Sequence, residues 1–176
     1  MNVGKPVAGI IVEPIQSEGG DRAASFGFYE HLRNLALEEN VFYIVDEVQT
    51  GGGISGKWWA HEHWNLSTPP DVVTFAKKMS AAGFYYGDNL ANNWGPVVFN
   101  TWVGDPARLI ILDSILKTVE DENLCENAKT VGDFLKTELE VCHYNISFEL
   151  LSSNYFPRKW QTKRASFQML EVLGQF

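Results

Sequence analysis

Val41-Phe42-Tyr43-Ile44-Val45-Asp46-Glu47-Val48-Gln49-Thr50-Gly51 is the stretch whose reading decides the fold. An apolar, β-branched and aromatic run stops abruptly at two carboxylates, the pattern of a buried parallel strand that ends in a site. Open α/β sheets hold their ligands outside the carboxyl ends of the strands. Asp46 therefore falls at the ligand edge, and Gly51-Gly52-Gly53 frees the backbone to turn away from it. Val72-Val73-Thr74-Phe75-Ala76 repeats the short buried-strand signal and runs into Lys77-Lys78. One strand brings an Asp to the ligand edge, and the next brings a Lys.

That pairing suits pyridoxal phosphate, which needs a Lys to hold its aldehyde and an Asp to keep the pyridine nitrogen protonated, so that the ring can act as an electron sink. Spacing alone is a weak signal. A strand tip carrying Asp or Lys is more often a solvated sheet edge, and on generic grounds that reading is favoured.

Working outward, Val7-Ala8-Gly9-Ile10-Ile11-Val12 is a first buried strand, ended by Glu13-Pro14 because proline has no N–H to continue a ladder. In the loop Ile15 to Gly20, Glu18 is either a functional carboxylate or a turn residue, and composition favours the turn. Phe28, Leu32, Leu35 and Ala36 recur at helical spacing between Phe26 and Asn40, with Glu30, Arg33, Glu38 and Glu39 between them. This predicts an amphipathic crossover helix stopped at Asn40, closing a parallel βαβ unit.

Trp58-Trp59-Ala60-His61-Glu62-His63-Trp64 reads as a short aromatic helix with partly exposed His tips. No Cys, His or Asp cluster accompanies His61-x-His63, so no metal site is expected. Met79 to Gly95 reads as loop and hairpin, and nothing intrinsic marks Thr101. Asp105-Pro106 opens a helix whose face carries Leu109, Leu112, Ile115, Leu116 and Val119. A second helix, about Glu122 to Cys142, carries Ala128, Val131, Leu135 and Leu139. From His143 the text changes character, with a locally basic run from Tyr155 to Arg164 and at most a short helix from Ser166 to Leu173. The expected organisation is one partial domain over 1–142 and a divergent tail over 143–176.

The 176 residues suffice for one domain with a sizeable core, and 45% hydrophobic with 13% aromatic residues is a globular composition. A net charge of −8 without a basic block argues against a nucleic-acid partner, and no apolar run reaches membrane-span length. Cys125 and Cys142 lack metal or redox spacing and read as free thiols in a reducing compartment. The N-terminus reads as the lead-in to a strand rather than a targeting segment.

Residues Val7 to Asp105 resemble the class III aminotransferases of fold type I, enzymes that use pyridoxal phosphate, and within them the members acting on 4-aminobutyrate. The resemblance rests on Val7 to Gly20, on Val45-Asp46-Glu47-Val48-Gln49-Thr50-Gly51-Gly52-Gly53, on Trp59 to Trp64, on Thr74-Phe75-Ala76-Lys77-Lys78-Met79 and on Phe99-Asn100-Thr101-Trp102-Val103-Gly104-Asp105-Pro106. It implies an α/β fold, part of the large cofactor domain, with a mostly parallel sheet and flanking helices. It implies pyridoxal 5'-phosphate as cofactor, with Lys77 as its covalent anchor and Lys78 the weaker candidate. Asp46 would pair with the pyridine nitrogen, Val48 would pack on the ring, and Gln49 would neighbour the phenolic oxygen. Thr101 would reach the phosphate of a neighbouring subunit, which makes a homodimer part of the site. Glu18 would pair with a substrate-binding Arg.

The implied activity is transamination between 4-aminobutyrate and 2-oxoglutarate, and the implied location is the mitochondrial matrix. Another ω-amino-acid or ornithine-type aminotransferase shares the Asp46 and Lys77 pattern. A non-catalytic fragment or dimerisation module is the reading from a different class. Relative to the family, the chain corresponds to the middle of the cofactor domain. The Gly/Ser phosphate loop, the ring-stacking aromatic and the substrate arginines do not fall within it. A truncated gene model with a foreign tail, and little activity for the chain alone, are therefore expected.

Overall fold

The computed structural model describes residues 6–91, 99 and 101–152, with side chains described as far as Cys142. Its centre is a four-stranded sheet in the order β1 (Gly9–Val12), β2 (Phe42–Asp46), β3 (Val72–Phe75) and β4 (Gly83–Tyr86). The first three strands are parallel. β4 returns antiparallel on β3, the hairpin expected between Met79 and Gly95.

Helix α1 (Phe26–Glu38) forms the crossover between β1 and β2. Ser25 caps it by accepting from the Phe28 N–H at 3.3 Å, and Asn40, at φ +53°, turns the chain out of it. The face it buries is the expected one only in part, since Ala36 is buried and Leu32 packs against the core. Tyr29, Arg33 and Ala36 are buried, whereas Phe28 and Leu35 are 50% and 40% exposed. Tyr29 wins the inward position because its ring stacks on Trp64 at 3.8 Å between centroids and its hydroxyl donates to the Pro14 carbonyl at 3.0 Å. Tyr43 and Val45 of β2 complete this core, and burying a side chain such as Val45 contributes about 1.5–3 kcal/mol.

Arg33 is a second departure from the pattern. Its guanidinium donates to Asp71 Oδ2 at 2.7 Å, to the Pro69 carbonyl at 2.7 Å and to Thr68 Oγ1 at 3.0 Å. Asp71 Oδ2 also accepts from the Tyr43 N–H at 2.8 Å, so one buried ion pair joins α1, β2 and the entry to β3. The opposite face of the sheet carries the register row Ile11, Ile44, Val72 and Tyr86, with Ile11 61% and Tyr86 54% exposed.

Helix α2 (Pro106–Asp121) starts where expected, with Asp105 accepting from the Ala107 N–H at 3.0 Å. None of its residues is buried. Helix α3 (Leu124–Ser152) continues ten residues past Cys142, through the point where the composition shifts. The expected basic run and the helix from Ser166 lie outside the described residues. Among the described residues, no helix is long and apolar enough to cross a membrane.

Candidate active site

Strand pairing places the two signals of the sequence at one edge. Asp46, the last residue of β2, is in register with Thr74 of β3, and Lys77 follows Thr74 by three residues. Asp46 Oδ1 accepts from the Thr74 hydroxyl and from the Val48 N–H, both at 3.0 Å. Those two donors fix the carboxylate, and Oδ2 has no hydrogen bond among the described residues.

The two lysines differ in what they do. Lys78 Nζ donates to the Gln49 carbonyl and so ties the turn after β3 to the turn after β2. Burial pushes the Lys78 ammonium below the ordinary lysine range, the Lys77 charge adds to this, and Glu47 opposes it. Lys77 is exposed, and its ammonium makes no hydrogen bond or ion pair among the described residues, while its carbonyl accepts from the Ser80 N–H at 2.8 Å. It also sits at φ +47°, a left-handed conformation that costs a non-glycine residue roughly 1–2 kcal/mol. Met79, 2% exposed, anchors this turn, and Arg108 of α2 donates to the Ser80 carbonyl at 3.1 Å. Strain held in place by such anchors is found where a side chain must be aimed.

Two hollows flank the tip of β2. Asp46 opens on a cavity of about 420 Å³ shared with Glu13, Gln16, Arg22 and Tyr29. Val48 and Thr74 face a cleft of about 730 Å³ toward β4, walled by Ala76, Phe84, Trp102 and Arg108. The Gln49 side chain makes no hydrogen bond among the described residues. Thr101 is exposed on the turn 101–104 beside the cleft wall. Glu18 is exposed at the tip of a loop closed by the Gln16–Arg22 bridge and lines neither hollow. Asp46, Val48 and the Lys77 turn are thus brought together, while Glu18 and Thr101 stand apart from them.

Glu47 was legible only as the second carboxylate of the pair. Successive residues of an extended chain point to opposite sides, so a ligand-facing Asp46 sends Glu47 inward. Its side chain is fully buried and accepts from the Thr50 hydroxyl and, at 2.8 Å each, from the His61 N–H and His61 Nδ1. The aromatic segment expected as a helix is a 3₁₀ turn, Ala60–His63, and it is this carboxylate that holds it. Gly51 is required by the same packing, since a Cβ there would lie 2.6 Å from the Trp59 ring and 2.9 Å from the Glu47 carbonyl. Gly51→Ala is expected to cost about 1–3 kcal/mol, read as a lower urea midpoint with an unchanged slope.

The profile of the Aminotransferase class-III family matches residues 2–147. The chain belongs to the class-III aminotransferases. Relatives from this family include the 4-aminobutyrate aminotransferase of Emericella nidulans, 54% identical over 136 residues, covering 77% of this chain and 27% of the relative. The mitochondrial 4-aminobutyrate aminotransferase of Homo sapiens is 50% identical over 135 residues, again covering 77% and 27%. The chain spans about a quarter of the length of these curated relatives. Among solved class-III structures, lysine aminotransferase from M. tuberculosis superposes with a TM-score of 0.72 at 34% identity, over 78% of this chain and 32% of that one. Plasmodium falciparum ornithine δ-aminotransferase gives 0.69 at 31%, over 76% and 36%. The mostly parallel sheet with its helices, which the strand pattern predicts, is accordingly part of the fold-type-I large domain, as the resemblance implies.

Proposed function

We propose that this chain supplies the ring-facing part of a pyridoxal 5'-phosphate site in a class-III aminotransferase. The enzyme would convert 4-aminobutyrate and 2-oxoglutarate to succinate semialdehyde and glutamate. The observation that carries the site is the pairing of a half-committed Asp46 with an unpaired, strained Lys77 on adjoining strand ends. The substrate reading is supported by relatives of 47–54% identity that bear the name 4-aminobutyrate aminotransferase.

The donor set suits the cofactor. Asp46 Oδ2 is free to accept from a protonated ring nitrogen, while Thr74 and Val48 hold its other oxygen. Val48 offers an apolar contact to the ring and Gln49 an unpaired amide for the phenolic oxygen. Lys77 is the anchor, since Lys78 is engaged with the Gln49 carbonyl. When bound, the cofactor supplies an electron sink that acidifies the proton on the substrate's amine-bearing carbon. With the cofactor bound, Lys77 would hold it covalently, and its amine, when free, would be placed to take that proton and give it back, so the same residue would be both anchor and base. Thr101 serves the phosphate of a second subunit in a homodimer, and Glu18 pairs with an arginine that binds the substrate carboxylate. A mitochondrial matrix location is part of this reading, supported by relatives whose names include the word mitochondrial.

Incubation with pyridoxal phosphate, borohydride reduction and peptide mass spectrometry tests the site. Label confined to Lys77 is the expected result. Label scattered over surface lysines would make the chain a non-catalytic fragment of the family. The solved lysine and ornithine aminotransferases support a second substrate reading, a longer diamino acid. Comparing how fast 4-aminobutyrate, lysine and ornithine, each added before the borohydride, lower the label that Lys77 acquires separates the two.

A further inference from the structure

The turn that carries Val48 and Gln49 is held from behind by groups that no proposed contact with the cofactor uses. Glu47 continues the sheet with its N–H, which donates to the Thr74 carbonyl at 3.1 Å, and its own carbonyl accepts from the Gly51 N–H at 2.8 Å. Its carboxylate lies inside the protein beneath that loop, receiving Thr50 from within the turn and both the backbone N–H and the Nδ1 of His61 from the Ala60–His63 segment. The Gly52 N–H, donating to the Trp58 carbonyl at 2.9 Å, fastens the far end of the turn to the chain just ahead of that segment. The Val48 side chain lines the cleft toward β4, and the Gln49 side chain makes no hydrogen bond of its own among the described residues. A buried carboxylate that loses a donor leaves a costly unsatisfied group, so the clamp has one stable arrangement and imposes it on the turn.

We infer that Glu47 and His61 are a positioning pair, holding the Asp46–Gly51 turn so that Val48 and Gln49 present to the cofactor ring. The inference rests on the function proposed above, but its first readout needs no cofactor. Backbone hydrogen exchange on the full 176-residue chain compares wild type with Glu47→Gln, His61→Ala and His61→Asn. Glutamine replaces one accepting oxygen with a donor, alanine removes the imidazole, and asparagine returns an N–H close to the position of Nδ1. Exchange at the Gly51 amide is expected to rise roughly tenfold or more in Glu47→Gln and His61→Ala, to recover in His61→Asn, and to stay unchanged at residues 43–45. The borohydride label at Lys77 should fall in the first two variants and return in the third. Acceleration shared by residues 43–45 would reveal a merely structural role and overturn the inference. So would unchanged exchange in Glu47→Gln, identical behaviour of His61→Ala and His61→Asn, or undiminished label at Lys77 in the variants. If wild type itself takes no label at Lys77, the proposed function fails, and the exchange pattern alone decides whether the pair positions the turn. Should Glu47→Gln not fold, the two His61 variants still decide it.

Discussion

Lys77→Ala is expected to lose all selective pyridoxyl labelling, with no transfer to its neighbour, whereas Lys78→Ala is expected to keep the label at Lys77. The two residues are adjacent in sequence, so any account based only on lysines near a sheet edge predicts that one substitutes for the other. Their geometry denies this. Lys78 spends its ammonium on the Gln49 carbonyl, and Lys77 leaves the strand end through a left-handed residue that aims it differently. Lys78→Ala therefore removes the tie between two turns rather than the anchor, and its label at Lys77 should be weaker but still selective. In an assembled enzyme Lys77→Ala also removes the proposed base, and proton transfer by a positioned side chain alone contributes roughly 10²–10⁴-fold. Label appearing at Lys78 in Lys77→Ala would exchange the two roles.

How much of this was legible follows from what each residue type announces. The positions of β1, β2 and β3 were readable because continuous apolar runs ending in Pro, Asp or Lys have few other interpretations, but the expected burial of β1 was not met: it lies at the sheet edge with none of its residues buried. The Asp46 and Lys77 edge followed from those endings. Periodicity failed on α1, where it assigned Arg33 to solvent by its charge. The structure buries that residue because Asp71, 38 positions later, and two further acceptors satisfy it, and a window the length of one helix cannot contain that information. Phe28 and Leu35 failed the other way, since a helix face is fixed by what packs against it and Tyr29 had Trp64 and the Pro14 carbonyl waiting. The duty of Glu47 was half legible: alternation predicts that it points inward, but its partner His61 comes from a distant segment whose histidines were read, correctly, as partly exposed tips, with no sign of a buried carboxylate behind them. Lys77's strain was invisible, because lysine, unlike glycine or asparagine, does not advertise a positive φ.

Breaking the Arg33–Asp71 pair should have the largest effect on the fold. Arg33→Ala leaves Asp71 mostly buried with only its remaining hydrogen bonds, and removing one partner of a buried pair costs about 3–5 kcal/mol, on the order of 10 °C in the thermal midpoint. The double variant Arg33→Met with Asp71→Asn should recover much of that loss, because an amide oxygen still accepts from the Tyr43 N–H and neither position then carries a charge. The pH dependence has a definite sign. Burial works to raise the Asp71 carboxyl, but the Arg33 hydrogen bond, the Tyr43 N–H and the Arg33 charge outweigh it and hold the group below its ordinary value. A carboxyl lowered by folding adds stability above its unfolded pKa and forfeits it as the pH falls through the folded one. Wild type should therefore lose stability on acidification below about pH 4, and the double variant should lose less over the same interval. Urea titrations of both chains at pH 7 and pH 3 measure this. Equal acid losses in the two would show that the contribution of the pair does not depend on its charge, and a double variant as unstable as Arg33→Ala would move the cost from the unpaired carboxylate to the Arg33 guanidinium that lies over the Tyr43 ring.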